Sequence, residues 1–403
     1  MMKWKYNAKA RETDAAADVS FLGMAEAAKA HRFLQNFDNY SVTPLRSLAE
    51  LASKLGIGGL YIKDESYRFG LNAFKVLGGA YAIGRYLAQR LETDIEELSF
   101  DKLKSTETRA RLGDITFITA TDGNHGRGVA WAAQQLGQKA VVYMPKGSSS
   151  SRKDAITATG AECYITEWNY DECVRVSAKL AEENGWVVVQ DTAWEGYAEI
   201  PEWIMQGYSV LSSEIMEQLR DCGIEKPTHL FLQAGVGSFA GAVLGQYAAA
   251  FGPERPITTI VEPNKADCLY KSAEAGKWQA VTGEMDTIMA GLACGEPNPV
   301  AWDILNSYAE MFISCPDDIA ATGMRILGNP LAGDPAVISG ESGAVTTGLV
   351  SAIMLEEGLA EVKRLLKLDE QSIVLVISTE GDTDPTHYRR VVWEGLHAKP
   401  IIR

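Results

Sequence analysis

From Tyr61 onward, short β-branched runs alternate with longer stretches of helical period, and no other feature narrows the fold so far. That alternation is the mark of a parallel sheet covered by helices. The runs ITFIT (115–119), KAVVYM (139–144), ECYIT (162–166) and WVVVQ (186–190) read as strands, and THLFLQA (228–234), PITTIVEP (256–263), MFIS (311–314) and SIVLVIS (372–378) follow. Between them lie helical stretches such as GRGVAWAAQQLG, DECVRVSAKLAEENG and PEWIMQGYSVLSSEIMEQLR, most of them closing on glycine or a turn, as helix C-termini do. The strands form two groups, 115–190 and 228–378, separated by the long helix that begins at Pro201. Two α/β lobes are expected, each a mostly parallel sheet flanked by helices. Between Ala280 and Asn298 the stretch VTGEMDTIMAGLACGEPN loses both periods and reads as loop, placed to line a cleft between the lobes. The first forty residues read as helical and polar on one face.

At 403 residues with 46% hydrophobic and 23% charged residues, the chain has the composition of a globular protein with a sizeable core. Its net charge of -15 repels phosphate polymers and argues against a nucleic-acid or anionic-membrane partner, while leaving room for local phosphate sites. No apolar run is long enough to span a bilayer, and the opening MMKWKYNAKARETD lacks the apolar core of a signal peptide, so the expected address is the cytoplasm. Six cysteines are scattered without CxxC or CxxH spacing, which signals neither zinc nor a disulfide framework. If any two pair, Cys268 and Cys294 are the candidates, because both sit in irregular segments.

Three stretches can carry chemistry. In AGVGSFAG (234–241), a strand turns into a helix through Gly235, Val236, Gly237 and Ser238, and the loop and helix-start amides make an anion cradle. The spacing is not that of a dinucleotide fingerprint, although Glu262 lies near the usual acidic position, and a single phosphate monoester fits as well. The bland alternative is a tight turn that binds nothing. In TATDGNHGRG (119–128), Thr121, Gly123 and Asn124 offer donors for a carboxylate at another helix start, while Asp122 puts an acid among them. Asp122 is either an N-cap or a group that moves protons in an anion-binding site. His125 has no second ligand at metal spacing and reads as a backbone-positioning residue within the turn; no metal site is expected. In VISTEGDTDP (376–385), Ser378 and Thr379 end a buried strand where α/β proteins bind ligands, against an ordinary turn as the alternative. Two acid-bearing turns, QDTAWEGY with Asp191 and SGESGAV with Glu341, follow the same logic. Serine-hydrolase, P-loop and zinc-protease signatures are missing.

The stretch RFGLNAFKVLGG (68–79) places one lysine, Lys75, in a mostly apolar run with glycines on both sides. A buried ammonium is costly unless it is paired or reactive. A reactive lysine, a phosphate cradle, a neutral hydroxyl and a carboxylate-binding turn are together what pyridoxal 5'-phosphate needs: a Schiff base, a phosphate anchor, a partner for the ring nitrogen and a place for the amino acid.

The order AFK, GNHG, glycine-rich loop and terminal S-T before G-D resembles the fold-type II pyridoxal phosphate enzymes, which include tryptophan synthase β chains and the serine and threonine dehydratases. Within that group, KDESYRFGLNAFK, TDGNHGRGVAWAAQQLGQ, VVYMPKGS, VVQDTAWEGY, IMAGLACGEPNP and VISTEGDTD resemble the diaminopropionate ammonia-lyases, from about Thr43 to Gly395. Dehydratases of the fold usually carry S-F-K and S-x-G-N-H, where this chain has Ala73-Phe74-Lys75 and Thr121-Asp122-Gly123-Asn124-His125. The resemblance implies a smaller lobe, 88–192, inserted in a larger one, 1–87 plus 193–403, a homodimer, and α,β-elimination of D- and L-2,3-diaminopropionate to pyruvate and two ammonia by way of an aminoacrylate. Lys75, preceded by Phe74, would form the internal aldimine and act as base toward the L isomer, and Asp122 toward the D isomer from the opposite face. It also implies that Asp191 binds a substrate amino group, Asn124 the cofactor's ring hydroxyl, Gly235, Val236, Gly237 and Ser238 the phosphate, and Ser378 or Thr379 the pyridine nitrogen. Glu341 joins the cofactor shell and Thr121 to His125 the substrate shell. A serine or threonine dehydratase on the same scaffold, a nucleotide-binding oxidoreductase using Gly235–Gly241, and a non-catalytic amino-acid-binding protein remain as alternatives.

Overall fold

The computed structural model describes residues 2–12, 17–121 and 123–398. Eleven strands are found among them: β1 Lys3–Tyr6, β2 Leu45–Ser47, β3 Gly59–Asp64, β4 Thr116–Ala120, β5 Lys139–Met144, β6 Glu162–Ile165, β7 Val187–Val188, β8 His229–Gln233, β9 Ile257–Pro263, β10 Met311–Cys315 and β11 Ile373–Ser378. They form a seven-stranded sheet in the order β1-β10-β9-β8-β11-β3-β2 and a four-stranded sheet in the order β6-β5-β4-β7. The smaller sheet is parallel throughout, and the larger is parallel except where β1 joins β10 and β2 joins β3 at its two edges. This is the α/β, fold-type II arrangement expected from the alternation. Central strands such as HLFLQ and MFISC are buried at every position because helices cover both faces. The edge strand β1, KWKY, instead alternates exposed lysines with half-buried aromatics, and charged side chains on such an edge discourage further strands from adding.

Three expectations change. The described residues do not begin with helix: β1 and two short 3-10 turns come first, and Met24–Gln35 is the only α-helix among the described residues of the first forty. WVVVQ contributes just two strand residues to the sheet, because after Val189 N donates to Ile118 O at 2.9 Å side chains replace main-chain pairing: the Gln190 amide accepts from Ala120 N at 2.9 Å and donates to Ala120 O at 3.1 Å. Cys268 and Cys294 are both free thiols.

The helix Val76–Arg90 lies between the two sheets and is packed through glycines. A Cβ on Gly207 would sit 2.4 Å from the Leu77 carbonyl oxygen, and one on Gly128 would sit 2.7 Å from Val76 Cα. Such contacts bring backbones closer than any side chain allows, so the helix start is gripped by Asn124–Gln135 on one side and Glu199–Asp221 on the other. One apolar cluster runs from Phe117 and Val142 of the small sheet through Leu77, Ala80 and Ile83 to Leu230 and Leu232 of the large one.

Candidate active site

Two of the glycines beside Lys75 are explained by packing, since a Cβ on Gly78 would sit 2.7 Å from Ile204 Cγ2 and one on Gly79 would sit 3.2 Å from Val129 N, and the lysine itself is explained by what lies at the helix start. The segment before it pairs with the end of β11: Ala73 opposes Glu380, Phe74 N donates to Thr379 O at 3.1 Å, and Gly381 N donates to Asn72 O at 3.1 Å. Phe69 and Asn72 are held at φ +51° and +60°, conformations that side chains disfavour by roughly 1 kcal/mol or more. The restraint that enforces them is a buried ion network. Arg68 makes four hydrogen bonds of 2.8 Å, two to Glu65 and two to Glu214. Lys63 binds Glu214 at 2.7 Å and the Thr43 carbonyl at 2.8 Å. All four charged side chains are fully buried. Burial pushes the Glu214 carboxyl up, but Arg68 and Lys63 outweigh it and hold the group below the usual carboxylate range.

Lys75 Nζ is paired with Asp191 Oδ2. The departure of the chain from β7 is what delivers Asp191 there, and Tyr170 donates to its Oδ1 at 3.2 Å. His125 donates from Nε2 to the Val189 carbonyl at 2.8 Å, which directs Nδ1 toward Asp191 Oδ2 at 4.0 Å. Burial alone would raise the Asp191 carboxyl; the Lys75 ammonium, His125 and the Tyr170 hydroxyl reverse this and hold it ionised, below its ordinary value. His125 therefore both pins the backbone of the Asp191 turn and faces the cavity.

At the end of β8, Gly237 adopts φ +102° and caps the helix Ser238–Phe251. The first amides of a helix have no intrahelical acceptor, and the loop that points them into the cavity needs glycine at this φ. Ser238 Oγ donates to the Asp191 carbonyl and accepts from Asn298 Nδ2 at 2.8 Å, which fixes the cradle to the lysine's partner. Across the cavity, Thr121 Oγ1 accepts from Gly123 N at 2.9 Å and Gly126 N at 3.0 Å, closing the turn before the helix Asn124–Gln135. Gly123, at φ +152°, is packed against Arg152 rather than facing the cavity, and Asp122 lies outside the described residues.

The two hydroxyls at the end of β11 diverge. Ser378 is fully buried and donates to Ser339 Oγ at 2.8 Å, away from the cavity, whereas Thr379 lines it. Thr379 Oγ1 donates to Glu380 Oε2 at 2.6 Å and accepts from Gln233 Nε2 at 2.9 Å. Glu341, at the start of the helix Glu341–Leu355, also lines the cavity, 3.6 Å from His387.

These groups surround one cavity of about 780 Å³ at the carboxyl ends of β4, β8 and β11, the size of a cofactor and substrate site. Lys75, Phe74, Thr121, Asn124, His125, Asp191, Gly235 to Ser238, Glu341 and Thr379 all line it, as does the irregular segment 283–294. Sequence reasoning missed Tyr170, Gln233, Glu380, Arg152 and His387, which read as ordinary helix, strand or loop residues. Only the acid-rich context of Glu380 gave a signal. The residues present fit pyridoxal phosphate: a cavity-facing amine on a rigid helix start, a glycine cradle with helix-start amides, and a buried acceptor, Gln233 Oε1, without a hydrogen-bond donor among the described residues.

The model of the pyridoxal-phosphate dependent enzyme family matches residues 37–378. A diaminopropionate ammonia-lyase of Escherichia coli strain K12 is 55% identical over 375 residues, 93% of either chain. The chain belongs to the diaminopropionate ammonia-lyase family. A Salmonella typhimurium family member is 51% identical over 401 residues, 99% of both chains. In fold, the selenomethionine-labelled holo diaminopropionate ammonia-lyase of Escherichia coli superimposes with a TM-score of 0.92 at 51% identity, covering 99% of each chain. The family's cofactor, pyridoxal phosphate, is the group for which the lysine, cradle and hydroxyl are arranged.

Proposed function

We propose that the chain eliminates ammonia from both isomers of 2,3-diaminopropionate and releases pyruvate and a second ammonia on hydrolysis. The observation that carries this over a serine or threonine dehydratase is Asp191, a buried carboxylate kept ionised at the amine end of the cavity. A hydroxyl leaving group has no use for a buried anion, whereas the 3-ammonium of diaminopropionate does. Bound pyridoxal phosphate supplies an aldehyde that captures amines and a ring that takes up the electron pair left at Cα.

The chain supplies the rest. Lys75 holds the cofactor and, once released by substrate, takes the Cα proton of the L isomer; Asp122, in the turn across the cavity, takes that of the D isomer. An amine leaves only when protonated: Asp191 favours the ammonium form of the 3-amino group for both isomers, and for the L isomer Lys75, carrying the proton taken from Cα, is also an acid at hand. Gly235, Val236, Gly237 and Ser238 hold the phosphate, Asn124 the ring hydroxyl, and Thr379, not Ser378, faces the ring nitrogen. Thr121, Gly123 and His125 shape the substrate turn, and Glu341 borders the cofactor. Residues 88–192 form the smaller lobe, and 1–87 with 193–403 the larger. We read the protein as a cytoplasmic homodimer; no helix among the described residues is long and apolar enough to cross a membrane.

The test is pyruvate release from D- and L-2,3-diaminopropionate, beside L-serine, D-serine and L-threonine. Rapid release from both diaminopropionate isomers is expected. Release from serine or threonine with none from diaminopropionate would replace this reading by a dehydratase.

A further inference from the structure

Glu380 has no part of its own in the mechanism above, yet it is buried against the hydroxyl of Thr379, just beyond β11. Its two carboxyl oxygens are committed differently. Oε1 accepts from Gly343 N at 2.9 Å, one of the free amides in the first turn of the helix Glu341–Leu355. Oε2 meets Thr379 Oγ1 at 2.6 Å. Thr379 Oγ1 also receives a hydrogen from Gln233 Nε2, whose orientation is fixed because the same amide nitrogen donates to the Ile377 carbonyl at 2.9 Å. A hydroxyl has one hydrogen and two lone pairs, so these partners leave it a single site facing the cavity.

We propose that Glu380 is a positioning residue that sets the polarity of that site. With Glu380 ionised, Thr379 donates its hydrogen to Oε2 and presents a lone pair to the cavity. With Glu380 protonated, the proton must sit on Oε2, since Oε1 is held by the Gly343 amide. It then occupies the second lone pair of Thr379 and turns the Thr379 hydrogen into the cavity. An acceptor there favours the protonated form of a facing nitrogen, and a donor the unprotonated form. Glu380 is surrounded so that either state is within reach: burial and Glu341 raise its carboxyl, while Thr379, the Gly343 amide and Arg152 lower it, leaving it at about 7. Of these groups, Glu341 sits at the start of its own helix and Arg152 on the helix Ser150–Thr157; His387, beside Glu341, comes from a third.

This inference rests on the reading that Thr379 faces the ring nitrogen, and the test separates the two. The holoenzyme would be loaded with pyridoxal phosphate carrying ¹⁵N in the ring, and the ring resonance recorded at pH 8. In Glu380→Gln the side-chain oxygen stays with the Gly343 amide, so its NH₂ faces Thr379 and mimics the protonated acid. Wild type is expected to give a resonance displaced toward that of a protonated ring nitrogen relative to Glu380→Gln, with Thr379→Ser behaving as wild type. An unchanged resonance in Glu380→Gln, when Thr379→Val alters it, overturns the inference alone. An unchanged resonance in Thr379→Val overturns the placement of Thr379 and the inference with it. The readout is spectroscopic and needs no turnover.

Discussion

Replacing Gly128 with alanine removes no chemical group, yet it tests whether packing places Lys75. The added Cβ would stand 2.7 Å from Val76 Cα and 2.8 Å from Val76 N, against an ordinary contact distance of 3.4 Å and beyond. The opposing atoms are backbone, so no side chain can rotate aside and the two helices must part by about 0.7 Å, the shortfall from normal contact. Overpacking of this kind costs about 1–3 kcal/mol of stability. Because Val76 follows Lys75 directly, the lysine nitrogen shifts by a comparable amount relative to Asp191 and the Gly235–Ser238 cradle. A misplacement near 1 Å lowers turnover by up to roughly 10²-fold. The assay is pyruvate release from L-2,3-diaminopropionate beside thermal unfolding. The control is Gly84→Ala on the lysine's own helix, Val76–Arg90, whose Cβ would meet the Phe33 ring at 2.3 Å, far from the lysine. Gly84→Ala should lose stability with kcat nearly intact, and Gly128→Ala should lose kcat out of proportion to its stability. Equal kcat in the two, at similar stability, would refute the claim that this helix contact positions the lysine.

Lys75→Ala should abolish the visible absorption band of the bound cofactor; a variant that keeps the band would sink the assignment of Lys75 as its attachment point. Asp122→Asn should cut turnover of the D isomer far more than that of the L isomer, and equal losses in isomer-resolved kcat/KM would mean that Asp122 only positions substrate. Glu214→Gln leaves Lys63 and Arg68 sharing a single carboxylate in the interior, at a cost on the order of 3–5 kcal/mol in urea unfolding at neutral pH. Since Glu214 is held below its ordinary value in the folded chain, its contribution is fully present above the unfolded carboxylate's titration and lost as pH falls through the lower folded value. The difference between wild type and Glu214→Gln should therefore persist from pH 7 to about 4.3, where unfolded glutamate titrates, and shrink below it; a difference that disappears between pH 7 and 6 would contradict the assignment.

Most of what the sequence disclosed is local chemistry. Gly235 and Gly237 announce a strand-to-helix loop because Gly237 takes a positive φ and Gly235 packs closely on the Leu292 backbone, and TDGNHG reads the same way at the second helix start. The parallel sheets follow from the alternation of periods. Lys75 stood out because an ammonium in an apolar run with flanking glycines has few innocent explanations. Tertiary structure decided everything that joins distant parts of the chain. Tyr170 meets Asp191 because the chain leaves the sheet after two residues of β7. Gln233 meets Thr379 because β8 and β11 are neighbours in space, though widely separated in the chain. Arg68 is fully buried because the four hydrogen bonds it donates to Glu65 and Glu214 replace its water. A carboxylate that is solvated and one that is paired inside a protein are written with the same letter; only the surroundings brought by the fold set their charge, and with it what they can do.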